Sequence, residues 1–325
     1  MAHYLVTGAA GFIASQVSQQ LLAQGHSVLG VDNLNDAYDV RIKEYRLRGL
    51  QAHPNFTFSQ LDIGEREAVE TLSRAAPFDA VFNLAARAGV RTSVENPWVY
   101  VQTNLNGTLN LLEVCRRTGT KKFVLASTSS IYGADAPQPT PESYDSSHPL
   151  QPYAASKKAA ETMAYAYHYL HKIDVTVCRY FTVYGPAGRP DMVMFRFARW
   201  IREGEPLHLN GDGEQSRGFT YVDDIARGTI AAAGLSGYHI INLGGHESIT
   251  INHLIAILEA KIGKRAEVIR HPLHPADALA NLADVTQART LLNWQPQVNL
   301  ETGITALVDW YERERVWARE LDLNV

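Results

Sequence analysis

Short apolar runs alternate with longer stretches of helical periodicity along the first half of the chain. The runs are rich in β-branched and aromatic residues and cover residues 3–7, 27–31, 56–61, 80–84, 123–126 and 175–181. Some of them, such as 80–82 and 123–125, are apolar at every position, which is typical of strands covered on both faces. This alternation predicts an α/β fold built on a doubly wound parallel sheet.

The pattern changes in the second half of the chain. Proline and glycine residues interrupt short elements between residues 185 and 213. Helical periodicity returns at 221–233 and again at 300–321. We therefore predict two domains, a larger one of residues 1–180 plus about 219–245, and a smaller one of residues 181–218 and 246–325.

The composition is that of an ordinary globular protein and limits the function classes. With 30 Lys and Arg against 34 Asp and Glu, the net charge is -4, which provides no basic field for a nucleic acid or an anionic membrane. Cys115 and Cys178 lie in apolar stretches without metal-ligand spacing, so we expect buried thiols and no metal site. No targeting signal and no apolar run of membrane-spanning length is visible, so we expect a cytoplasmic protein.

A glycine-rich turn follows the first predicted strand. The segment T-G-A-A-G-F-I, with Gly8 and Gly11, leads into the first helical pattern. The unpaired amides and the dipole of a helix start attract a diphosphate. Asp32 ends the second strand, where a carboxylate accepts hydrogen bonds from an adenosine ribose and repels a 2′-phosphate. The segment therefore predicts a dinucleotide site that prefers NAD to NADP.

Tyr153 and Lys157 are spaced one helical turn apart. They follow a predicted strand that ends in S-T-S-S-I-Y-G at residues 127–133. An ammonium and a cationic nicotinamide ring close to a phenol favour its phenolate, which lowers the pKa of the phenol toward neutral pH. Tyr153 would then take a proton from an alcohol whose carbon gives up a hydride.

The chain resembles the extended short-chain dehydrogenases/reductases that act on nucleotide sugars, over nearly its whole length. The motifs that carry the resemblance are T-G-A-A-G-F-I, Asp62-Ile63, Leu84-Ala85-Ala86, Asn104, S-T-S-S-I-Y-G, Tyr153 with Lys157, and segment 179–186. The resemblance implies a Rossmann-type domain that retains NAD and a smaller C-terminal α/β domain that binds a UDP-sugar. It also implies a homodimer, in which we expect the helices near 103–117 and 153–171 to meet.

The same resemblance implies which residues serve each purpose. Catalysis would fall to Tyr153, Lys157, Thr128, Ser129 and Ser130. The cofactor would be bound by Gly8, Gly11, Phe12, Ile13, Asp32, Asn33, Asp62, Ile63, Leu84, Ala85, Ala86, Asn104, Tyr153, Lys157, Tyr180 and Val183. The UDP-sugar would be bound by Arg91, Thr128, Thr182, Arg189, Leu207, Leu209, Arg217 and Asp277.

Residues 128–130 indicate the fate of the oxidised sugar. Dehydrating relatives resemble T-D-E-V-Y-G and decarboxylating relatives resemble T-S-E-V-Y-G, whereas this chain has Thr128, Ser129 and Ser130. Without a carboxylate at these positions, we expect the 4-keto sugar to turn and to take the hydride back on its other face. This predicts 4-epimerization with NAD regenerated in each cycle.

Segments 181–192 and 32–41 resemble the UDP-glucuronate 4-epimerases, which favours an acidic sugar. A carboxylate calls for a guanidinium and a hydroxyl donor, which Arg189 and Thr182 can supply. A uronic acid with a ketone at carbon 4 is a β-keto acid, and it loses carbon dioxide when its carboxylate aligns with the carbonyl π system. We expect Thr182 and Arg189 to hold the carboxylate out of alignment.

The second domain also carries residues with expected roles. Leu207 and Leu209 resemble positions that flank the uracil, and Arg217 resembles an arginine that meets the diphosphate. Asp223 and Asp224 stand where a helix is predicted to begin. We expect them to cap that helix and to interact with its dipole.

Three other functions remain open from the sequence. They are a 4-epimerase for a neutral sugar such as UDP-glucose or UDP-N-acetylglucosamine, a UDP-glucuronate decarboxylase, and a regulator that binds a dinucleotide without turnover. The first would gain little from Arg189, and the second is disfavoured by Ser130. The intact set of Thr128, Tyr153 and Lys157 argues against the third.

Overall fold

The computed structural model describes residues 1–245, 247–272 and 280–323. Its strands are β1 (His3–Thr7), β2 (Ser27–Asp32), β3 (Phe56–Gln60), β4 (Ala80–Asn83), β5 (Lys122–Thr128), β6 (Asp174–Tyr180), β7 (Thr182–Tyr184), β8 (Leu207–Asn210), β9 (Ser216–Tyr221), β10 (Tyr238–Leu243), β11 (Ser248–Thr250) and β12 (Val268–His271). Its α-helices are α1 (Phe12–Ala23), α2 (Val40–Gln51), α3 (Glu67–Ala75), α4 (Val90–Glu95), α5 (Trp98–Tyr100), α6 (Gly107–Thr118), α7 (Pro152–His171), α8 (Val193–Glu203), α9 (Val222–Ala232), α10 (Ile251–Ile262), α11 (Thr286–Leu292) and α12 (Leu300–Ala318). A π-helical segment, Val101–Asn106, precedes α6, and a 3-10 turn, Ser129–Tyr132, follows β5. Within these ranges, no helix is both long enough and apolar enough to cross a membrane.

Seven of the described strands form one parallel sheet, in the order β3-β2-β1-β4-β5-β6-β10. The chain builds outward from β1 on one side and continues from β4 on the other. This confirms the doubly wound, Rossmann-type sheet expected from the sequence. Open α/β sheets bind ligands where the strand order reverses, so the carboxyl ends of β1 and β4 mark the place to look for a site.

Helices cover both faces of this sheet. Helices α1, α2 and α9 contribute to the core on one face, and α3, α6 and α7 contribute to the core on the other. The continuously apolar run in β4 illustrates why both faces need cover, since Phe82 enters the first core and Val81 the second, each fully buried.

A smaller α/β unit follows β6. Strand β9 pairs in parallel with β7 and antiparallel with β11, and β8 pairs in parallel with β12. Helices α8, α10 and α12 pack a third core, which includes Phe195, Leu254 and Trp310. The expected smaller C-terminal α/β unit is thus confirmed, while its residue bounds remain a prediction. Strand β9 runs across the bound proposed at residue 219.

Asp223 and Asp224 lie in the first turn of α9, as expected for residues that interact with the helix dipole, but Asp224 does not cap the helix. Its Oδ2 accepts hydrogen bonds from the amides of Gln297 and Val298, both at 2.9 Å, and its Oδ1 accepts one from Arg227 at 2.5 Å. Helix α9 begins after Tyr221 without a side-chain cap. The prediction that Asp224 caps this helix was wrong because its carboxylate is buried against the 297–298 backbone and fastens that segment to α9.

A buried ion pair fixes the end of β5. The side chains of Arg179 and Glu161 are 1% and 2% exposed, and Arg179 donates to Glu161 from Nε at 3.0 Å and from Nη2 at 2.8 Å. Ser127 donates to the same carboxylate at 2.6 Å. Arg179 Nη1 donates to the hydroxyl of Tyr132, which donates to Asn242 at 2.7 Å. Because Ser127 precedes Thr128, this network holds the strand end from which the expected catalytic hydroxyl projects.

Candidate active site

The glycine-rich turn lies at the carboxyl end of β1. Gly8 has a φ of +70°, and a Cβ there would lie 2.8 Å from the Ala85 Cα, while a Cβ on Gly11 would lie 2.7 Å from the Gly8 carbonyl oxygen. Glycine is therefore required at both positions. Helix α1 starts after Gly11 with no side-chain cap and no acidic residue in its first turn. Its first amides, including those of Phe12 and Ile13, have no acceptor within the helix and suit a diphosphate.

Two carboxylates lie at neighbouring strand ends. Asp32 is 8% exposed and accepts hydrogen bonds from the amides of Ala10 at 3.2 Å and Leu34 at 2.8 Å. Asn33 donates from Nδ2 to Asp62 at 2.8 Å, which ties the end of β2 to the residues after β3. A carboxylate offers about four lone-pair sites, so Asp32 keeps acceptor capacity for a ribose diol. The turn and this carboxylate together fit NAD.

Asn104 fastens the loop after β4 to α7. Its Nδ2 donates to the Arg87 carbonyl at 3.1 Å and to the Ser156 hydroxyl at 2.9 Å, while its Oδ1 accepts from the Arg87 amide at 2.9 Å. The side chain therefore positions the loop that contains residues 84–86. A direct contact between Asn104 and a cofactor stays a prediction.

Tyr153 and Lys157 lie on α7, and their pKa values are shifted in opposite directions. The pKa of the Tyr153 phenol is raised, because burial outweighs the hydrogen bond with Thr128 and the charge of Arg189, which both lower it. This direction is opposite to the one expected from the sequence. Lys157 is 3% exposed and donates from Nζ to the Ala126 carbonyl at 2.9 Å. Arg189 is thus a cation that opposes burial at Tyr153, while the expected effect of the Lys157 ammonium on this phenol stays a prediction. Burial lowers the pKa of Lys157 to about 8, with Glu161 opposing the shift.

The shifted pKa of Lys157 predicts a pH-dependent contribution to stability. The pKa of Lys157 is about 8 in the folded chain, whereas that of a lysine in an unfolded chain is about 10.4. Between these pH values the unfolded chain binds more protons, so the contribution of Lys157 to the free energy of unfolding increases as the pH rises. Burial raises the pKa of the Cys115 and Cys178 thiols, which acts in the opposite direction. We therefore expect the stability of the native chain minus that of Lys157→Met to increase from pH 7 to pH 9.5. Urea denaturation measures this difference, and a flat difference would contradict the assignment.

Three hydroxyl groups lie together at the end of β5. Thr128 caps the 3-10 turn, with Oγ1 accepting from the Ser130 amide at 3.1 Å and donating to the Ser130 hydroxyl at 3.2 Å. The Ser129 hydroxyl accepts from Nδ2 of Asn281 at 3.3 Å. None of these three positions holds a carboxylate, so the cluster offers hydrogen bonds but no strong acid or base.

Arg189 lies close enough to Tyr153 for its charge to lower the pKa of that phenol. Its guanidinium donates to Asp191 from Nε at 3.1 Å and from Nη2 at 2.5 Å, and its side chain is 21% exposed. Thr182, partly buried, begins β7. The cation expected to bind a carboxylate and the phenol expected to move a proton therefore share one site.

Several expected contact residues have buried side chains. The Tyr180 hydroxyl is hydrogen-bonded to Thr229 at 2.8 Å inside the core, and Val183 packs on the same core. Leu207 and Leu209 are 0% and 2% exposed in the core of the smaller unit. For Tyr180, Leu207 and Leu209, this arrangement leaves only the backbone for a ligand.

Arg91, Arg217 and Asp277 are the remaining residues expected to bind the UDP-sugar. Arg91 is exposed on α4, and Arg217, on β9, donates from Nη1 to the Ser216 carbonyl at 2.7 Å. Asp277, together with His274, lies outside the described residues. The roles of Arg91, Arg217 and Asp277 stay predictions.

Sequence reasoning missed a group of cations behind the phosphate turn. Lys43 and Arg46, on α2, are each 4% exposed. Lys43 donates from Nζ to the Asn35 carbonyl at 2.7 Å, and burial lowers its pKa while Asp32 raises it. The available signal was two basic residues at helical spacing on the apolar side of α2, where Ile42 is fully buried.

The family comparison covers most of the chain. The family described as "NAD dependent epimerase/dehydratase family" matches residues 4–244. The UDP-glucuronate 4-epimerase of Thermodesulfobacterium geofontis is 54% identical over 311 residues, which are 95% of this chain and 96% of that protein. A probable UDP-glucuronate 4-epimerase of Rhizobium meliloti is 35% identical over 330 residues, with 95% of this chain and 97% of that protein covered.

Solved structures give the same result for the fold. The Bacillus cereus UDP-glucuronic acid 4-epimerase, in complex with UDP-glucuronic acid and NAD, matches with a TM-score of 0.90 and 36% identity, covering 96% of this chain and 99% of that one. The Thermotoga maritima UDP-glucose 4-epimerase, with UDP-glucose, matches with a TM-score of 0.89 and 33% identity over 96% and 99% of the two chains. Relatives that act on acidic and on neutral sugars thus share this architecture.

Proposed function

This chain belongs to the NAD dependent epimerase/dehydratase family, and we propose that it is a UDP-glucuronate 4-epimerase that interconverts UDP-glucuronate and UDP-galacturonate. The observation that supports this function over a neutral-sugar epimerase is Arg189, whose positive charge acts on the Tyr153 phenol that is expected to take the proton of the sugar. The 54% identity to a UDP-glucuronate 4-epimerase over nearly the whole chain supports it.

The residues present suit NAD as the cofactor. Gly8 and Gly11 form a turn that a Cβ would obstruct, α1 presents amides to a diphosphate, and Asp32 presents acceptors to a ribose. When bound, NAD takes a hydride from carbon 4 of the sugar and returns it.

Tyr153 and its neighbours handle the proton in this proposal. The phenol takes the proton of the 4-hydroxyl as carbon 4 is oxidised and gives it back when the ketone is reduced. Thr128, hydrogen-bonded to Tyr153, orients the same hydroxyl. The buried Lys157 lies one turn after Tyr153 on α7 and donates a hydrogen bond to the Ala126 carbonyl. Turning of the 4-keto sugar before reduction inverts carbon 4.

The hydroxyl cluster and Arg189 decide what happens to the ketone. Thr128, Ser129 and Ser130 include no carboxylate to drive a dehydration. Arg189 and Thr182 bind the sugar carboxylate and keep its bond to carbon 5 from aligning with the ketone. Under this restraint, reduction precedes loss of carbon dioxide.

Replacement of Arg189 tests the substrate assignment. A hydrogen bond to a charged group contributes about 1.5–3 kcal/mol, so Arg189→Ala should weaken UDP-glucuronate binding by roughly ten- to 150-fold. Affinity for UDP-glucose, which has no carboxylate, should change little. Calorimetric titration of both nucleotide sugars gives the comparison. Full activity with unchanged affinity for UDP-glucuronate would remove Arg189 from the substrate site.

We also infer a homodimer formed through the π-helical segment and α7. Exposed apolar residues on these elements and on α5 include Trp98, Val101, Tyr165 and Tyr169. Apolar groups gathered on adjoining helices favour burial against a partner. Val101→Glu should therefore convert the dimer to a monomer in sedimentation velocity. Val316→Glu, at an 80% exposed site on α12, is the matched control and should leave the dimer intact, and a dimer that survives both changes would contradict this interface.

A cytoplasmic location remains our prediction for this enzyme. Cys115 and Cys178 are buried free thiols, which suit a reducing compartment. Its substrates are expected to be nucleotide sugars, with no nucleic acid among its partners.

A further inference from the structure

Arg46 connects the phosphate turn to the loop that carries Arg189. Its Nε and Nη2 donate to the Ala187 carbonyl at 2.9 and 2.7 Å. Its Nη1 donates to the Ala10 carbonyl at 3.1 Å and to the Tyr38 hydroxyl at 3.0 Å. Ala10 belongs to the phosphate turn, and Ala187 precedes Arg189 by two positions. One buried guanidinium therefore links the cofactor turn with the loop expected to bind the carboxylate.

The linked loop has a backbone conformation that needs support. Ala187 has a φ of +52°, in the left-handed region that residues with a Cβ rarely adopt. Such a conformation persists only where surrounding contacts hold it. The paired hydrogen bonds from Arg46 to the Ala187 carbonyl are contacts of this kind. Without them, we expect residues 187–189 to relax and the Arg189 guanidinium to shift.

Tyr38 supports Arg189 through its ring. The ring centroid lies 5.6 Å from Arg189 Cζ, and a cation over an aromatic face is attracted to it. Tyr38 is 8% exposed, and its hydroxyl is held by Arg46. Arg46 thus supports Arg189 in two ways, through its hydrogen bonds to the loop backbone and through its hydrogen bond to Tyr38, whose ring contacts Arg189.

Asp191 leaves part of the Arg189 guanidinium for a ligand. Arg189 donates to Asp191 from Nε and Nη2, and within the described part of the chain Nη1 of Arg189 makes no hydrogen bond. Because Asp191 offsets much of the positive charge, a sugar carboxylate would be restrained chiefly by the fixed direction of the remaining N–H groups. The groups that fix this direction should therefore control the fate of the carboxylate.

We propose that Arg46 and Tyr38 are positioning residues for Arg189, which determine that the sugar carboxylate is retained during turnover. This inference rests on the proposed function. In the side reaction that they suppress, the bond between carbon 5 and the carboxyl carbon of the 4-keto sugar breaks and carbon dioxide leaves. The electron pair forms the enolate of the ketone, and carbon 5 then takes a proton to give a UDP-4-keto-pentose. This step consumes no oxidant beyond that used to form the ketone.

The test measures how turnover divides between epimerization and loss of carbon dioxide. The NAD-loaded enzyme and its Tyr38→Phe, Tyr38→Leu and Arg46→Met variants are incubated with UDP-glucuronate labelled with ¹³C in the carboxyl group. Carbon-13 NMR then follows labelled bicarbonate and the two labelled uronates. We expect the share lost as carbon dioxide to rise about tenfold or more in Tyr38→Leu and Arg46→Met, because displacements near 1 Å change rates on this scale. In Tyr38→Phe, which keeps the ring, the share lost as carbon dioxide should rise less.

Tyr45→Phe is the matched control. Tyr45 lies on α2 next to Arg46, and its hydroxyl accepts a hydrogen bond from Trp310 at 3.1 Å and donates one to Glu314 at 3.2 Å. The same loss of a hydroxyl at this position should leave the share of carbon dioxide unchanged. A rise equal to that of Tyr38→Phe would mean that any disturbance of α2 has this effect, and would overturn the proposal.

Binding measurements separate positioning from a general structural role. Calorimetry on the same variants should show weaker binding of UDP-glucuronate and nearly unchanged binding of UDP-glucose. If the affinities for both ligands fell equally and the share of turnover lost as carbon dioxide did not rise, Arg46 and Tyr38 would only maintain the fold. Should Arg46→Met fail to fold, the two Tyr38 variants decide the matter. If the unaltered enzyme binds UDP-glucuronate but does not epimerize it, the proposed function fails, and the binding comparison still tests the link to Arg189.

Discussion

Tyr153→Phe is expected to lower kcat for epimerization of UDP-glucuronate by about 10²–10⁴-fold, the usual contribution of a positioned acid or base. The phenol is the group proposed to take the proton of the 4-hydroxyl, and Thr128 and Arg189 are the neighbours that lower its pKa against the effect of burial. Phenylalanine keeps the ring, whose centroid lies 6.1 Å from that of Tyr100, but has no oxygen to hold a proton. Binding of UDP-glucuronate should therefore change far less than kcat.

A second tyrosine on the same helix provides the control for this change. Tyr169 lies on α7 at the surface proposed to meet the partner, and Tyr169→Phe keeps the ring that this contact would use, so this variant should keep the full rate. Initial rates at saturating substrate, with NAD content checked by absorbance, measure both variants. A Tyr153→Phe enzyme that turns over within a few-fold of the native rate would contradict the assignment of the proton to this phenol.

Glu161→Ala is expected to destabilise the folded chain by about 3–5 kcal/mol, the usual cost of breaking a buried ion pair from one side. The change leaves the buried Arg179 guanidinium without its carboxylate and removes the acceptor of Ser127. Glu70→Ala, which removes a largely exposed partner of Arg117, should cost no more than about 1 kcal/mol.

Urea denaturation of the NAD-loaded protein measures both changes in the free energy of unfolding. Glu161→Ala should also lower activity at temperatures where it stays folded, because Thr128 follows Ser127 on the strand end that the network holds. If Glu161→Ala and Glu70→Ala cost the same, the buried network would not be a main support of the fold.

The sheet was predictable because its strands are buried on both faces. A continuously apolar run such as 80–82 has few alternatives once helical stretches flank it, and the structure places it in β4 at the switch point. Strand ends were less predictable. Strand β5 continues through Ser127 and Thr128 because their polar side chains find partners in Glu161 and Ser130, and periodicity does not reveal such partners.

The residues of the site also differ in how far the sequence predicts them. Gly8, Gly11 and Asp32 were found from the sequence because their roles depend on local backbone geometry and chain position. Arg46 was not found, because two of its three acceptors are backbone carbonyls, one of them 141 positions away in sequence. For Leu207 and Leu209, the resemblance implied positions that flank the uracil but did not show that packing buries their side chains in the core, and a uracil contact through their backbone stays a prediction.

The Lys157 ammonium illustrates a further limit of spacing. Y-x-x-x-K puts the two side chains on one face of α7, where Lys157 donates to the Ala126 carbonyl, and the charge of Arg189 lowers the pKa of Tyr153 against the larger effect of burial. Arg189 comes from a loop after β7, so only the folded chain brings it to the phenol. A charge from a distant segment therefore contributes to the electrostatics of a motif that looks complete in the sequence.

The most direct test of the account is incubation of the purified protein with UDP-glucuronate and no added NAD, followed by proton NMR of the nucleotide sugars. We expect UDP-galacturonate to appear without UDP-pentose, because in this proposal NAD stays bound between turnovers and Arg189 and Thr182 restrain the carboxylate. UDP-pentose and carbon dioxide as the only products, or no reaction with UDP-glucuronate even when NAD is supplied, would contradict the proposed 4-epimerization.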